Sequence, residues 1–213
     1  MSSTSITLPE IVPLLPVAGA LVLPRGKLPL KILTKPFLQL IDNAQKTNRL
    51  IGVIQPKSLE EGQNGELFEV GSLCFIEKIK QQPKGPLHIE VKGLLRFRIK
   101  QEVVSNTGYR QAQVDYGGFL DDLKPVQPMV GGANHRLLQG FEGYIKHQGL
   151  GVDAQSFEQF DSDMLMTTLP NLCKFNMAEK QALLESDNSL TRFSLLLQLF
   201  EFGALQNDTG IRQ

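Results

Sequence analysis

The stretch from Leu87 to Lys100 constrains the fold more than any other part of this chain. Leu87, Ile89, Val91, Leu95, Phe97 and Ile99 take the odd positions, and Gly93 keeps their phase. His88, Glu90, Lys92, Arg96, Arg98 and Lys100 take the even ones, with Leu94 the exception. A period of two places alternate side chains on opposite faces of a strand. The odd set therefore reads as core-facing and the basic even set as solvent-facing. At about 3.3 Å per residue the strand would exceed roughly 40 Å, too long to lie flat in a small domain. Gly93 is the natural place for a bend or bulge, and a strand bent there suits a barrel.

The rest of the chain divides around that strand. Val70 to Lys80 is apolar enough to pair with it through the turn Gln82-Pro83-Lys84-Gly85-Pro86. Ala112, Val114 and Tyr116 alternate with polar neighbours, and Leu50 to Gln55 is a further strand. One helix near 35–48 interrupts them, with Thr34 as its cap, Pro36 in its first turn and Asn48 at its end. Glycine and proline crowd residues 117–133, which read as a linker. Beyond it the spacing turns helical. Leu137, Phe141 and Ile145 mark one helix, and Ser162 to Leu169 a second, stopped by Pro170. Asn176 with Glu179 forms a capping box for a third, and Leu190, Phe193, Leu196, Leu197 and Phe200 form the stripe of a fourth. The expected class is α+β: a β domain over 1–123 and a helical bundle over 124–213.

Composition sets the limits on class. A chain of 213 residues can bury about 70% of its unfolded surface without a disulfide or metal staple. Its 22 basic and 22 acidic groups cancel, so no net field draws it to nucleic acid or anionic lipid. No apolar run reaches the roughly 18 residues of a membrane helix, and the first residues lack the pattern of a signal peptide. Cys74 and Cys173 lie among apolar neighbours and read as buried thiols. Together these point to the cytoplasm.

Catalytic patterns are not visible. Gly26-Lys27 is followed by Leu28 and Pro29, not by the Ser or Thr that a phosphate loop requires. Neither a G-x-S-x-G elbow nor H-E-x-x-H occurs. His88, His135 and His147 have no partner at metal-ligand spacing, so neither a metal nor a cofactor is expected. Asp121-Asp122 reads as linker polarity, and Asp161 and Asp163 as helix-cap acids. The basic even face of Lys92, Arg96, Arg98 and Lys100 has its aromatic pointing the other way. It reads as a solvated face rather than a nucleic-acid platform.

Several segments in order carry a family resemblance. Val12 to Ile32, with its Leu28-Pro29-Leu30-Lys31-Ile32, is similar to the opening of the Lon protease N-terminal domain. Leu50-Ile51-Gly52-Val53-Ile54-Gln55-Pro56 and Leu67 to Leu73 continue the likeness. So do Gly93-Leu94-Leu95-Arg96-Phe97-Arg98-Ile99, Gly108 to Ala112, and the helix containing Ala178-Glu179-Lys180-Gln181-Ala182-Leu183-Leu184-Glu185. The resemblance covers about residues 8–205. It departs where the family has F-E-x-R-Y, because Thr34 and Pro36 occupy the acidic and arginine positions. The resemblance implies a PUA-like β pseudo-barrel followed by a small helical bundle, in a stand-alone form without the ATPase and peptidase domains. It further implies a non-enzymatic module that binds unfolded or specific polypeptides, alone or as an adaptor to a protease. PUA-like barrels also admit an RNA-binding or small-molecule-binding reading, of which the neutral charge disfavours the first.

Two places could bind a client. One is a crevice between barrel and bundle. The other is the segment Val17 to Pro29, where Leu21 and Leu23 would form an apolar patch rimmed by Arg25 and Lys27. The same leucines also read as a loop packed into the core, and packing is the favoured reading.

Overall fold

A computed structural model describes residues 8–59, 65–81, 85–126, 129 and 131–205. The strands are β1 (Ile11–Pro16), β2 (Lys27–Ile32), β3 (Leu50–Ile54), β4 (Val70–Gln81), β5 (Leu87–Val103) and β6 (Gln111–Asp115). Helix α1 (Lys35–Gln45) falls between β2 and β3. A 3₁₀ turn at Gly117–Leu123 leads to α2 (Ala133–His147), α3 (Ser162–Leu172), α4 (Met177–Glu185) and α5 (Ser189–Leu205).

The sheet runs β2-β5-β4-β3-β1-β6, and β6 pairs again with β5, which closes a ring. β5 makes the closure possible by its length. Its first part pairs with β2 through Leu87–Lys92, and its last part with β6 through Arg98–Val103. Gln82, Pro83 and Lys84 of the expected turn lie outside the described residues, but β4 and β5 are antiparallel along most of their lengths.

The alternation in β5 conceals a change of face. Leu73 sits opposite Leu95 and Cys74 opposite Gly93, so Leu94 is an extra residue in the ladder. Because Leu73 and Cys74 are adjacent, they point to opposite faces, and their partners must as well. Ile89 and Val91 accordingly pack with Ile51, Cys74 and α1 residues Leu40 and Ile41. Leu95 and Phe97 instead fill the barrel with Val12, Leu14, Leu73 and Val114. Gly52 and Gly71 make room for the Phe97 ring: a Cβ on Gly71 would lie 2.6 Å from it.

The segment after β1 is an extended strip between the two halves. Ala20 and Val22 join the apolar cluster under α1, while Leu21 and Leu23 join the cluster of the helices. Gly93 sits where this strip crosses β5. Its N–H donates to the Gly26 carbonyl at 2.9 Å, and its carbonyl accepts from Arg25 N–H at 2.8 Å. A Cβ there would meet the Leu23 carbonyl oxygen at 2.3 Å, so close approach of backbone demands glycine.

Among the helices, Phe141, Phe200, Tyr144 and Phe175 form an aromatic centre with ring separations of 5.3–6.0 Å. Asn176 and Glu179 cap α4 reciprocally. Two expected helix ends are corrected. α3 runs through Pro170 to Leu172; the proline is buried near the helix end, where it forfeits one main-chain bond and gains packing. α1 ends with Lys46 as its C-cap, and Asn48 Oδ1 instead accepts from Leu50 N–H at the entry to β3. Among the described residues no helix is long and apolar enough to cross a membrane.

Candidate functional site at the barrel–helix cleft

The bulge at Leu94 sets up the site. It turns Arg96 to the face shared by Gly93 and Ser72, which the strip and the helices cover. Arg96 is 4% exposed, so its expected place on a solvated face is corrected. Its guanidinium chelates Asp122: Nε donates to Oδ2 and Nη2 to Oδ1, both at 2.9 Å. Nη1 donates to the carbonyls of Leu184 and Ser186 at 2.9 and 2.7 Å, and the cation lies 4.6 Å from the Phe119 ring centre. Asp122, expected as linker polarity, is thus the buried counter-ion of the barrel's longest strand. Such a bidentate, fully bonded pair fixes register across an interface more than it adds net stability. By contrast Arg98 and Lys100 are exposed, and Arg98 pairs with Glu69 at 2.7 Å.

Arg25 makes a second link. In a left-handed conformation, φ 69°, it reaches α3, where Nε and Nη2 bind the Asp163 carboxylate at 2.9 and 3.1 Å. Its Nη1 donates to the Asp122 carbonyl at 2.9 Å. Asp161 does cap α3, accepting from Met164 N–H, while Asp163 serves Arg25. Gln55 is a third link, 1% exposed: its Oε1 accepts from Gly19 N–H, and its Nε2 donates to Gln181 and to the Met177 carbonyl.

Leu21 and Leu23 are each 1% exposed, which is the packed reading of that segment. Arg25 and Lys27 do not form one rim. Lys27 does not line the cleft that Arg25 lines, and it pairs with Glu77 at 2.6 Å. Arg25 lines a cleft of about 860 Å³ between barrel and helices.

That cleft has mixed walls. Apolar surface comes from Val126, Met129, Leu190 and Phe193, with Leu190 70% exposed. Basic surface comes from Arg25, Arg96, Lys124, Arg136 and Arg192; acidic surface comes from Asp121, Asp122 and Asp187. Lys124 pairs with Asp121 at 2.7 Å. Arg192 is 6% exposed; its Nε donates to the Leu183 carbonyl, and among the described residues Nη2 has no hydrogen-bond partner. Burial, with the positive charges of Arg96 and Arg25 behind it, lowers Arg192 to about 10, far below the ordinary arginine range. A smaller, more apolar groove of about 640 Å³ lies on the barrel beside Leu50, Phe75 and Leu94.

Nothing in single-sequence reading gave Arg192, Arg136 or Asp122 a role in a site. A partial signal was Leu94, the one residue out of phase in β5. Both cysteines are buried thiols, with burial pushing Cys173 up to about 12. Among the described residues no three His, Cys, Asp or Glu side chains group to hold a metal ion.

Comparison with known proteins gives a consistent result. The family profile described as the ATP-dependent protease La (LON) substrate-binding domain matches residues 11–201. Lon protease 2 of Myxococcus xanthus is 27% identical over 198 residues, covering 90% of this chain and 24% of that protein. Lon protease of Endomicrobium trichonymphae is 22% identical over 197 residues, with coverages of 90% and 24%. The chain therefore spans about a quarter of the length of these curated relatives. The crystal structure of the Lon N-terminal domain protein from Xanthomonas campestris superposes with TM-score 0.61 at 18% identity, covering 90% of this chain and 98% of that one. The N-terminal domain of Mycobacterium avium complex Lon protease gives 0.60 at 17% identity, with the same coverages.

Proposed function

Because the chain belongs to the LON substrate-binding domain family, we propose that it binds unfolded or specific polypeptide segments and does so in the cleft between barrel and helices. The observation that carries this reading is the cleft itself: about 860 Å³ between two halves, with apolar side chains beside unsatisfied charge. A polypeptide offers both kinds of group, and clefts between packed units are favoured binding sites. In this reading the chain is a non-catalytic recognition module of the cytoplasm, acting alone or handing clients to a protease. Purified protein should then hydrolyse neither ATP nor casein.

The test uses fluorescein-labelled, reduced and carboxymethylated α-lactalbumin as an unfolded client, read by anisotropy. Leu190→Ser removes apolar cleft wall at an exposed position, and circular dichroism should report an unchanged fold. Binding should weaken at least about fivefold, since each apolar contact removed is worth roughly 1 kcal/mol. Leu94→Ser, in the barrel groove, should leave binding unchanged. The opposite pattern would move the site to the barrel groove, and no binding by the parent chain would remove the reading altogether.

A further inference from the structure

The cleft's charges are unevenly satisfied. Arg96 has Asp122, Arg25 has Asp163 and Lys124 has Asp121. Arg192 and Arg136 have no ion pair among the described residues. Arg192 is only 6% exposed, and its Nη2 is, among the described residues, the one buried side-chain nitrogen or oxygen found without a partner. A buried guanidinium with an unused donor carries a desolvation cost that an incoming anion can offset. Arg136 lies over the Phe193 ring at 5.3 Å, which holds a second cation at the same wall.

Backbone geometry adds to this. Both α2 and α5 begin at the cleft, α2 with Ala133 and α5 with Ser189. Gly132, the N-cap of α2, supplies no side-chain cap to the first amides. Helix starts carry partial positive charge and N–H donors; at α5 Asn188 Oδ1 already accepts from Thr191 N–H at 2.9 Å, so α2 is the less capped of the two. Asp187 is the opposing carboxylate at the rim, shared with a neighbouring cavity beside Arg98 and Glu185.

We propose that the polypeptide held in this cleft is acidic, with a client carboxylate bound by Arg192 and Arg136 at the starts of α2 and α5 and adjacent apolar side chains on Leu190 and Met129. The inference rests on the cleft being the polypeptide site, and it adds the chemistry by which clients are chosen. A planar guanidinium fork matches a carboxylate in two parallel bonds, which an amide of the same shape cannot return with charge.

Three fluorescein-labelled twelve-residue peptides on one Leu/Ala/Ser scaffold test it. The first carries two internal Glu and an amidated end, the second two Gln and an amidated end, and the third two Gln with a free terminal carboxylate. The Glu peptide should bind at least tenfold tighter than the amidated Gln peptide, and the free-end peptide shows whether a chain terminus serves as well. Arg136→Gln, at an exposed position, should abolish most of that preference with the fold intact. Arg192→Met should do the same, and the Arg192 Nε–H resonance should shift when the Glu peptide is added to the parent chain.

Equal binding of Glu and amidated Gln peptides, with both still sensitive to Leu190→Ser, would overturn the acidic preference and leave the cleft as the polypeptide site. A Glu preference that survives both arginine substitutions would overturn the assignment of the residues. No binding of any peptide, with Leu190→Ser silent, would remove the cleft reading itself. Tighter binding of an oligouridylate than of the Glu peptide, lost in Arg136→Gln, would overturn the inference in favour of nucleic acid.

Discussion

Arg96 and Arg98 stand two positions apart in one strand, both basic and both even, yet their fates differ. Arg96→Ala would leave the Asp122 carboxylate buried without its partner, which costs about 3–5 kcal/mol. Arg98→Gln removes a solvated charge and should stay within about 0.5 kcal/mol. Urea denaturation of the two variants checks this, and equal losses would show Arg96 to be solvated after all. Phe97→Asp, which places a charge inside the barrel, should prevent folding. The thiols give a pH signature. The folded chain raises Cys173 to about 12 from 9.0, and Cys74 is raised as well. Each holds its proton more tightly folded than unfolded, so its contribution is complete below pH 9 and is lost as pH rises from 9 toward 12. Stability should fall there by about 1.4 kcal/mol per pH unit for each thiol. In Cys173→Ala the slope should be one proton shallower, measurable by urea titration at about pH 9.5 and 10.5.

The long strand and the strip that crosses it are the elements on which the fold turns. β5 serves two apolar clusters because Leu94 is an extra residue, and it lies against the strip because Gly93 has no side chain. Gly93→Ala would push a methyl group into the Leu23 carbonyl and should destabilise by about 1–3 kcal/mol. Gly143→Ala, in α2 with open space around the added Cβ, should stabilise by about 0.5–1 kcal/mol. Thermal melts of the pair separate close approach from helix propensity. Most of these elements were legible beforehand. The capping box at Asn176 and Glu179 is local, so four residues suffice to announce it. The end of α3 was misplaced because the cost of Pro170 is local, whereas the packing that offsets it comes from the rest of the helical core.

Barrel and helices are held as one body by contacts that cross between them at separate points. Arg96 ties β5 to Asp122 and α4, Arg25 ties the strip to α3, and Gln55 ties β3 to α4. Leu21, Leu23 and Val70 belong to the helical cluster although they precede the helices in the chain. A fragment of residues 8–126 would expose all three and take Asp163 from Arg25 and Met177 and Gln181 from Gln55. It should show no cooperative urea transition, whereas the whole chain should unfold in one step by far-ultraviolet and near-ultraviolet dichroism alike. Two separate transitions would show the halves to be independent.

Alternation and spacing in the sequence were enough to establish the α+β class, the succession of strands and helices from β3 onward with the helix before it, and the burial of Phe97, because side-chain direction follows backbone period within each element. They were also enough, with the ordered motifs, for the family. They were not enough for the cleft. Periodicity assigns residues to faces, but whether a face meets water or another element depends on how distant parts of the chain pack. Arg96 meets Asp122 and the carbonyls of Leu184 and Ser186, and Arg192 reaches the same wall from α5. Those groups come together only through a one-residue bulge and the docking of helices on a barrel, and neither leaves a local pattern to read.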